Sequence, residues 1–283
     1  LFLIKGVIIG SIYALVSLGF NVIYRTTGVL NFAQGEFVMV GGIASAWAYE
    51  ALQVPPPLLL PLALVTGALC AALVGVLLDA LAIRPVRNAS IVTHIIITIG
   101  ASIIIRSVAS LVGKKTESYF LPVLKDGSVS LAGTDIDVHS LLIVAIAAAC
   151  MVLLTLFFRH TTTGRAMKAC AENPEAARLC GVSVGRISTT AFGLSALLGG
   201  IGGIMITPIL SMRFDQGTLL GLKGFSAAIL GGLGNPFGGV IGGVVIGVLE
   251  QYTTWFNSVY KDTLALAIVV LILLVRPRGL FSR

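Results

Sequence analysis

The chain has 283 residues, 57% of them hydrophobic and 11% charged, and 19 Lys and Arg against 12 Asp and Glu give a formal net charge of +7. Soluble proteins run at roughly 45–50% apolar and about 25% charged residues, so no soluble fold of this length could hide the apolar surface, and too little polar sequence is left for a catalytic head. Nor does the positive charge point to nucleic acid, because the basic residues stand in short connections between apolar runs, where they set membrane topology.

About 20 apolar residues cross a bilayer as a helix. The first run, 2–24, exceeds a signal-peptide core and lacks a small-x-small cleavage site, so it reads as a retained span. A broken stretch follows, Gly28-Val-Leu-Asn-Phe-Ala-Gln-Gly-Glu-Phe37, which sets Asn31, Gln34, Gly35 and Glu36 between apolar runs. Spans are then expected at 36–52, 57–81, 91–112 and 138–158. After a basic island at 159–186 come 187–210, 218–232, 237–256 and 262–275. The run at 218–232 is short and reads as tilted or re-entrant. A second broken stretch is expected at Gly221-Leu-Lys-Gly-Phe-Ser226 and Gly231-Gly-Leu-Gly-Asn-Pro236. Backbone groups in lipid must be satisfied internally. The fold class is therefore all-α: one polytopic membrane domain over 1–283 with eight or nine spans, some short or broken.

Arg84 and Arg87 in the 82–90 loop, five basic residues in the island, and Arg276, Arg278 and Arg283 in the tail place these segments and the C-terminus in the cytoplasm. The loop at 113–137 mixes Lys114, Lys115, Glu117, Lys125, Asp126, Asp135 and Asp137 and falls outside. Trp47, Tyr49, Trp255 and Tyr260 lie near predicted outer ends, where interfacial aromatics belong. Glycines four apart, Gly6-Gly10, Gly199-Gly203 and Gly239-Gly243-Gly247, mark helix faces that pack closely on protein.

Two catalytic signatures are missing: there is no G-x-x-x-x-G-K-[ST] phosphate loop and no H-E-x-x-H. His94, His139 and His160 stand on separate segments, and Cys70, Cys150, Cys170 and Cys180 make neither a disulfide framework nor a plausible metal site. No catalytic residue, metal or cofactor is expected. Glu36 has two open readings: a functional charge at bilayer depth, or an acid near the surface favoured in the first turn of a helix. Glu250 raises the same question, whereas Lys223 is expected to snorkel to an interface.

The island holds five of the 19 basic residues, namely Arg159, Arg165, Lys168, Arg178 and Arg186. Within it, Asn173 suits an N-cap, Pro174 the first helical position and Gly181 the left-handed residue that ends a short helix. Thr163 is expected to cap a preceding stretch, 164–171, that presents Arg165 and Lys168. A helix this short needs tertiary or partner contacts to be stable.

Glu175-Ala176-Ala177-x-x-x-Gly181 resembles the E-A-A-x-x-x-G loop by which ABC-transporter permeases engage their ATPases, although the later I-x-L-P is absent. Further matches are Gly10-Ser-Ile-Tyr-Ala-Leu15, Thr27 to Glu36, Thr98-Ile-Gly100, Thr163-Gly-Arg-Ala166, Leu230-Gly-Gly-Leu-Gly234 and Arg276-Pro-Arg-Gly-Leu280. In order and number they resemble the Liv-type permease of branched-chain amino acid ABC importers. The resemblance implies a multi-pass subunit of a bacterial inner membrane, working by alternating access. Its implied partners are a second, homologous permease, two cytoplasmic ATP-binding subunits, an extracytoplasmic solute-binding protein, membrane lipid and a small-molecule solute. ATPase coupling would fall to Arg165, Lys168, Asn173, Pro174, Glu175, Ala176, Ala177 and Gly181. The broken stretches suggest a pathway past Tyr13, Asn31, Gln34, Glu36 and Ser226, or else polar groups that only stabilise broken helices. Related permeases carry urea or short amides, and a stand-alone secondary transporter or channel is the other alternative.

Overall fold

The apolar runs become helices, and glycine or proline marks the start or end of several of them. The computed structural model describes residues 2–52, 55–87, 89–112, 128–131, 134–256, 261–276 and 279–281. Residues 113–127, Tyr260, Arg278 and Arg283, and the side chains of Trp255 and Asp135, lie outside the described residues. The helices are α1 (Phe2–Thr27), α2 (Gln34–Leu52), α3 (Pro56–Leu78), α4 (Ile91–Val112), α5 (Val138–His160) and α6 (Thr162–Glu172). They continue with α7 (Pro174–Leu179), α8 (Val184–Leu210), α9 (Gln216–Gly231), α10 (Pro236–Phe256) and α11 (Lys261–Val275). A hairpin that the sequence did not suggest, β1 (Ser128–Leu131) and β2 (Thr134–Asp137), precedes α5.

Among the described residues, five helices are long and apolar enough to cross a membrane: α1, the run Leu58–Val86 that begins in α3, α4, α5 and α8. Around them α2, α9, α10 and α11 complete the bundle. The apolar window of α1 is 89% buried and that of α8 67%, against 17% for α4 and 22% for α5. Consequently α1 and α8 form the centre, while α4 and α5 turn apolar faces outward.

α1 packs most extensively on α10, and its glycines explain how. A Cβ built on Gly10 would lie 2.6 Å from Val244 Cα, and one on Gly6 2.6 Å from Val248 Cα. The two backbones therefore touch, as the four-residue spacing led one to expect.

Two expectations need correction. The stretch 221–226 is not a break: it lies inside α9, where Gly221 and Gly224 serve close approach to Gly35 and Val16 rather than helix termination. The second break is confined to 232–235, where Gly232 and Gly234 take φ of 97° and 83°. In addition, the span expected to end at 81 runs on through a π-turn, Asp79–Ile83, and a 3-10 turn, Arg84–Val86. At 16 residues α9 is about 24 Å long at ~1.5 Å per residue, a short crossing.

Candidate functional site

The island folds as two short helices. Thr161 closes α5 and opens α6: its hydroxyl donates to Phe157 O (2.7 Å) and accepts from Gly164 N (2.9 Å). The cap expected at Thr163 is thus two residues earlier, because the hydroxyl must precede the first turn to reach its free N–H groups. Asn173 caps α7, its Oδ1 accepting from Glu175 N (3.0 Å) and Ala176 N (2.9 Å). Gly181 at φ 82° ends it, with Gly181 N donating to Arg178 O and Val182 N to Ala177 O. Ala177, Met167 and Cys170 point inward and join a cluster with Leu18 and Val22 of α1, Leu154 and Phe158 of α5, and Ile187 and Ala191 of α8. Burial pushes the Cys170 thiol above its usual range, with Arg178 opposing that shift. Arg165, Glu175, Arg178 and Leu179 face outward, and Leu179 is 90% exposed. Beside α7, Arg25, Arg87, Arg178 and His94 line a cleft of about 640 Å³.

The first broken stretch lies between α1 and α2. Asn31 Oδ1 accepts from Ala33 N (3.1 Å), and Thr98 of α4 accepts from Phe32 N (3.2 Å). Gln34 is fully buried; its Nε2 donates to Ser195 O (3.2 Å), and Ser195 Oγ lies 2.7 Å from Gln34 Oε1. Glu36, 1% exposed, accepts through Oε1 from Ser102 Oγ (2.9 Å) and Thr218 Oγ1 (3.1 Å). Arg106 Nη1 in turn donates to Thr218 Oγ1 (2.9 Å). Glu36 Oε2 and Asn31 Nδ2 are buried without a hydrogen bond in the protein.

Tyr13, Lys223, Glu250 and Asp262 meet where α1, α9, α10 and α11 converge. Lys223 Nζ donates to Glu250 Oε2 (3.0 Å), Asp262 Oδ1 (2.7 Å) and Tyr13 Oη (3.0 Å), while Tyr13 Oη donates to Glu250 Oε2 (2.6 Å). The expectation that Lys223 snorkels is overturned. It is 5% exposed and turned inward, because snorkelling would leave Glu250, itself 3% exposed, as a buried unpaired charge. The cluster borders a cavity of about 130 Å³.

Residues 2–273 match the family described as branched-chain amino acid transport system, permease component. The chain belongs to this permease family. It is 31% identical over 99% of its length to the high-affinity branched-chain amino acid transport system permease protein LivH of Salmonella typhimurium, covering 94% of that protein. Against BraD of Pseudomonas aeruginosa, named in the same terms, the identity is 30% over 99% of this chain and 95% of the relative. A probable branched-chain amino acid transport permease, LivH of Methanocaldococcus jannaschii, is 30% identical over 98% of this chain and 91% of its own. No solved structure matches significantly.

In this permease the island residues Asn173, Pro174, Glu175, Ala176, Ala177 and Gly181 form one capped unit, with Arg165 and Lys168 on the adjoining α6. The candidate pathway residues separate. Tyr13 borders the small cavity; Asn31, Gln34 and Glu36 lie in or just after the first break; Ser226 bonds its own helix at Leu222 O (2.9 Å). The surface reading of Glu36 fails, although it does stand in the first turn of α2. Sequence reasoning missed Asp79, fully buried and accepting from Ser188 Oγ (2.6 Å) and Thr189 Oγ1, and it missed Asp262. An acid just before the basic 82–90 loop was the available signal for Asp79.

Proposed function

We propose that the permease is the membrane subunit of an ATP-driven ABC importer of a bacterial inner membrane, with its C-terminus in the cytoplasm. It passes branched-chain or related amino acids by alternating access, with α6 and α7 as the place where energy enters. One observation carries this reading: α7 is capped at both ends and seated through Ala177 on a cluster that reaches three spans, yet it leaves Leu179, Glu175 and Arg178 free. A push on such a helix is passed on rather than absorbed. The sequence carries no phosphate loop, so in this reading ATP hydrolysis falls to two partner subunits docking there. A homologous second permease would complete the pore, and an extracytoplasmic binding protein would deliver the solute. Within this reading Tyr13 and Glu36 flank the solute's route, while Asn31, Gln34 and Ser226 hold the broken or short segments that shape it.

The test is Leu179→Asp, alone and with Glu175→Ala, in the co-expressed transporter. Expected are loss of ATPase co-purification and of leucine uptake, with normal permease levels in the membrane. Undiminished co-purification and uptake in the double variant refute the docking assignment.

A further inference from the structure

The small cavity joins two chemistries that seldom share so little space. Its walls are aliphatic: Ile9 and Ile12 of α1, Ile206 and Ile209 of α8, Leu219 and Leu220 of α9. One end carries Tyr13, Lys223, Glu250 and Asp262. It lies toward the other end of α1 from the island, since α1 and the turn after it meet the cleft beside α7 through Tyr24 to Val29, whereas α1 meets this cavity through Ile9 to Tyr13. Its volume of about 130 Å³ is about ten times the ~10–15 Å³ of cavity space that admits one water. That is a compartment for a small amino acid.

We infer that this cavity is a solute subsite within the permease, taking the ammonium and carboxylate of a small branched-chain amino acid at the charged end and its side chain between the Ile and Leu walls. The inference rests on the amino acid importer reading given above. Two observations favour it over a purely structural ion pair. First, the charged end offers both signs beside the aliphatic walls, Lys223 for a carboxylate and Asp262 for an ammonium, as a zwitterion requires. A buried ion pair is by itself weak ground for stability, whereas ionisable groups at membrane depth mark solute paths. Second, the members differ in freedom. The Lys223 and Glu250 side chains are 7% and 4% exposed, but that of Asp262 is 35% exposed.

Asp262 is thus the member that can exchange. An entering zwitterion places its carboxylate on the Lys223 ammonium where Asp262 sat, and its ammonium donates to the released Asp262 carboxylate. The one Lys–Asp pair becomes two ion pairs, and total charge is unchanged. Glu250 and Tyr13 keep Lys223 aimed at the cavity throughout.

The experiment measures binding to the permease–ATPase complex in nanodiscs without the binding protein, using L-leucine, L-alanine and two analogues of leucine, 4-methylpentanoate without the ammonium and isopentylamine without the carboxylate. Leucine is expected to bind at least tenfold more tightly than either analogue, the scale that one charge-assisted hydrogen bond sets. Asp262→Asn, nearly isosteric and partly exposed, should weaken leucine and isopentylamine roughly tenfold and tighten 4-methylpentanoate, whose carboxylate no longer has to displace the Asp262 carboxylate from Lys223. Ile209→Trp at the cavity wall should weaken leucine but spare L-alanine. Leucine binding unchanged in both variants overturns the inference. So does a complex that imports leucine with its binding protein yet shows no binding here, an outcome that leaves the importer reading standing. If instead leucine binds as described but no uptake occurs, the importer reading fails and the subsite stands.

Discussion

Replacing Asn173 with Ala tests whether α7 works as a rigid element. The Asn173 side chain accepts two hydrogen bonds, from Glu175 N at 3.0 Å and Ala176 N at 2.9 Å, and Ala offers neither. Loss of such a cap costs about 1 kcal/mol, equivalent to about a fivefold shift in the equilibrium between formed and opened helix. The helix has six residues and no length of its own to offset the loss. Amide hydrogen exchange over 175–180 should therefore quicken about fivefold, while α8 is unaffected. In proteoliposomes, ATP hydrolysis should continue with less leucine moved per ATP. Asn173→Asp, which retains the acceptor, should behave as the parent. Unchanged exchange in Asn173→Ala would show that tertiary seating alone holds α7. Quicker exchange with unchanged transport per ATP would refute the lever.

Cys180, exposed at the end of α7, should react rapidly with a water-soluble maleimide in the isolated permease and be protected once the ATPases are bound; equal labelling in both states counts against docking at this end. Cys170 should label slowly at neutral pH. Its raised thiol pKa leaves less thiolate there, so its rate should climb only at a pH higher than an ordinary thiol requires, as a pH series of labelling would reveal. Gly243→Val should lower the melting temperature of the purified permease, because its Cβ would lie 2.5 Å from Ala14 N and part α1 from α10; overpacking of this kind costs about 1–3 kcal/mol. Gly100→Ala, where an added Cβ meets nothing within 4 Å inside α4, is the control and should melt no lower than the parent.

The helices were legible because lipid and protein interior both ask for apolar side chains, and because each end bears its own punctuation. Asn173, Pro174 and Gly181 mark α7 through groups within a few residues of one another, so local reasoning sufficed. Thr161 and Thr163 differ by two places in a run of three threonines, and only the arriving helix α5 selects between them. Lys223 was misread for a different reason. Its partners Glu250 and Asp262 are 27 and 39 residues away on other helices, and a lone lysine carries no sign of whether an acid waits inside. Asp79 shares that difficulty, its partner Ser188 being 109 residues distant. Gly221 and Gly224 looked like a break because a glycine that ends a helix and one that admits a neighbour are the same letter.

α1 touches both places where something is proposed to happen. Toward its C-terminal end Leu18 and Val22 belong to the cluster that seats α7, and farther back Ile9, Ile12 and Tyr13 line the small cavity. Val22 and Tyr13 are nine residues apart on one unbroken helix, about 14 Å at ~1.5 Å per residue. Such a shaft neither stretches nor bends over that distance without breaking its own hydrogen bonds. Because its glycine face is pressed against α10, which carries Glu250, it cannot turn alone either. The timing of gate and engine would then need no relay of small adjustments: one body, gripped at one end and open to solute at the other, would register both events at once.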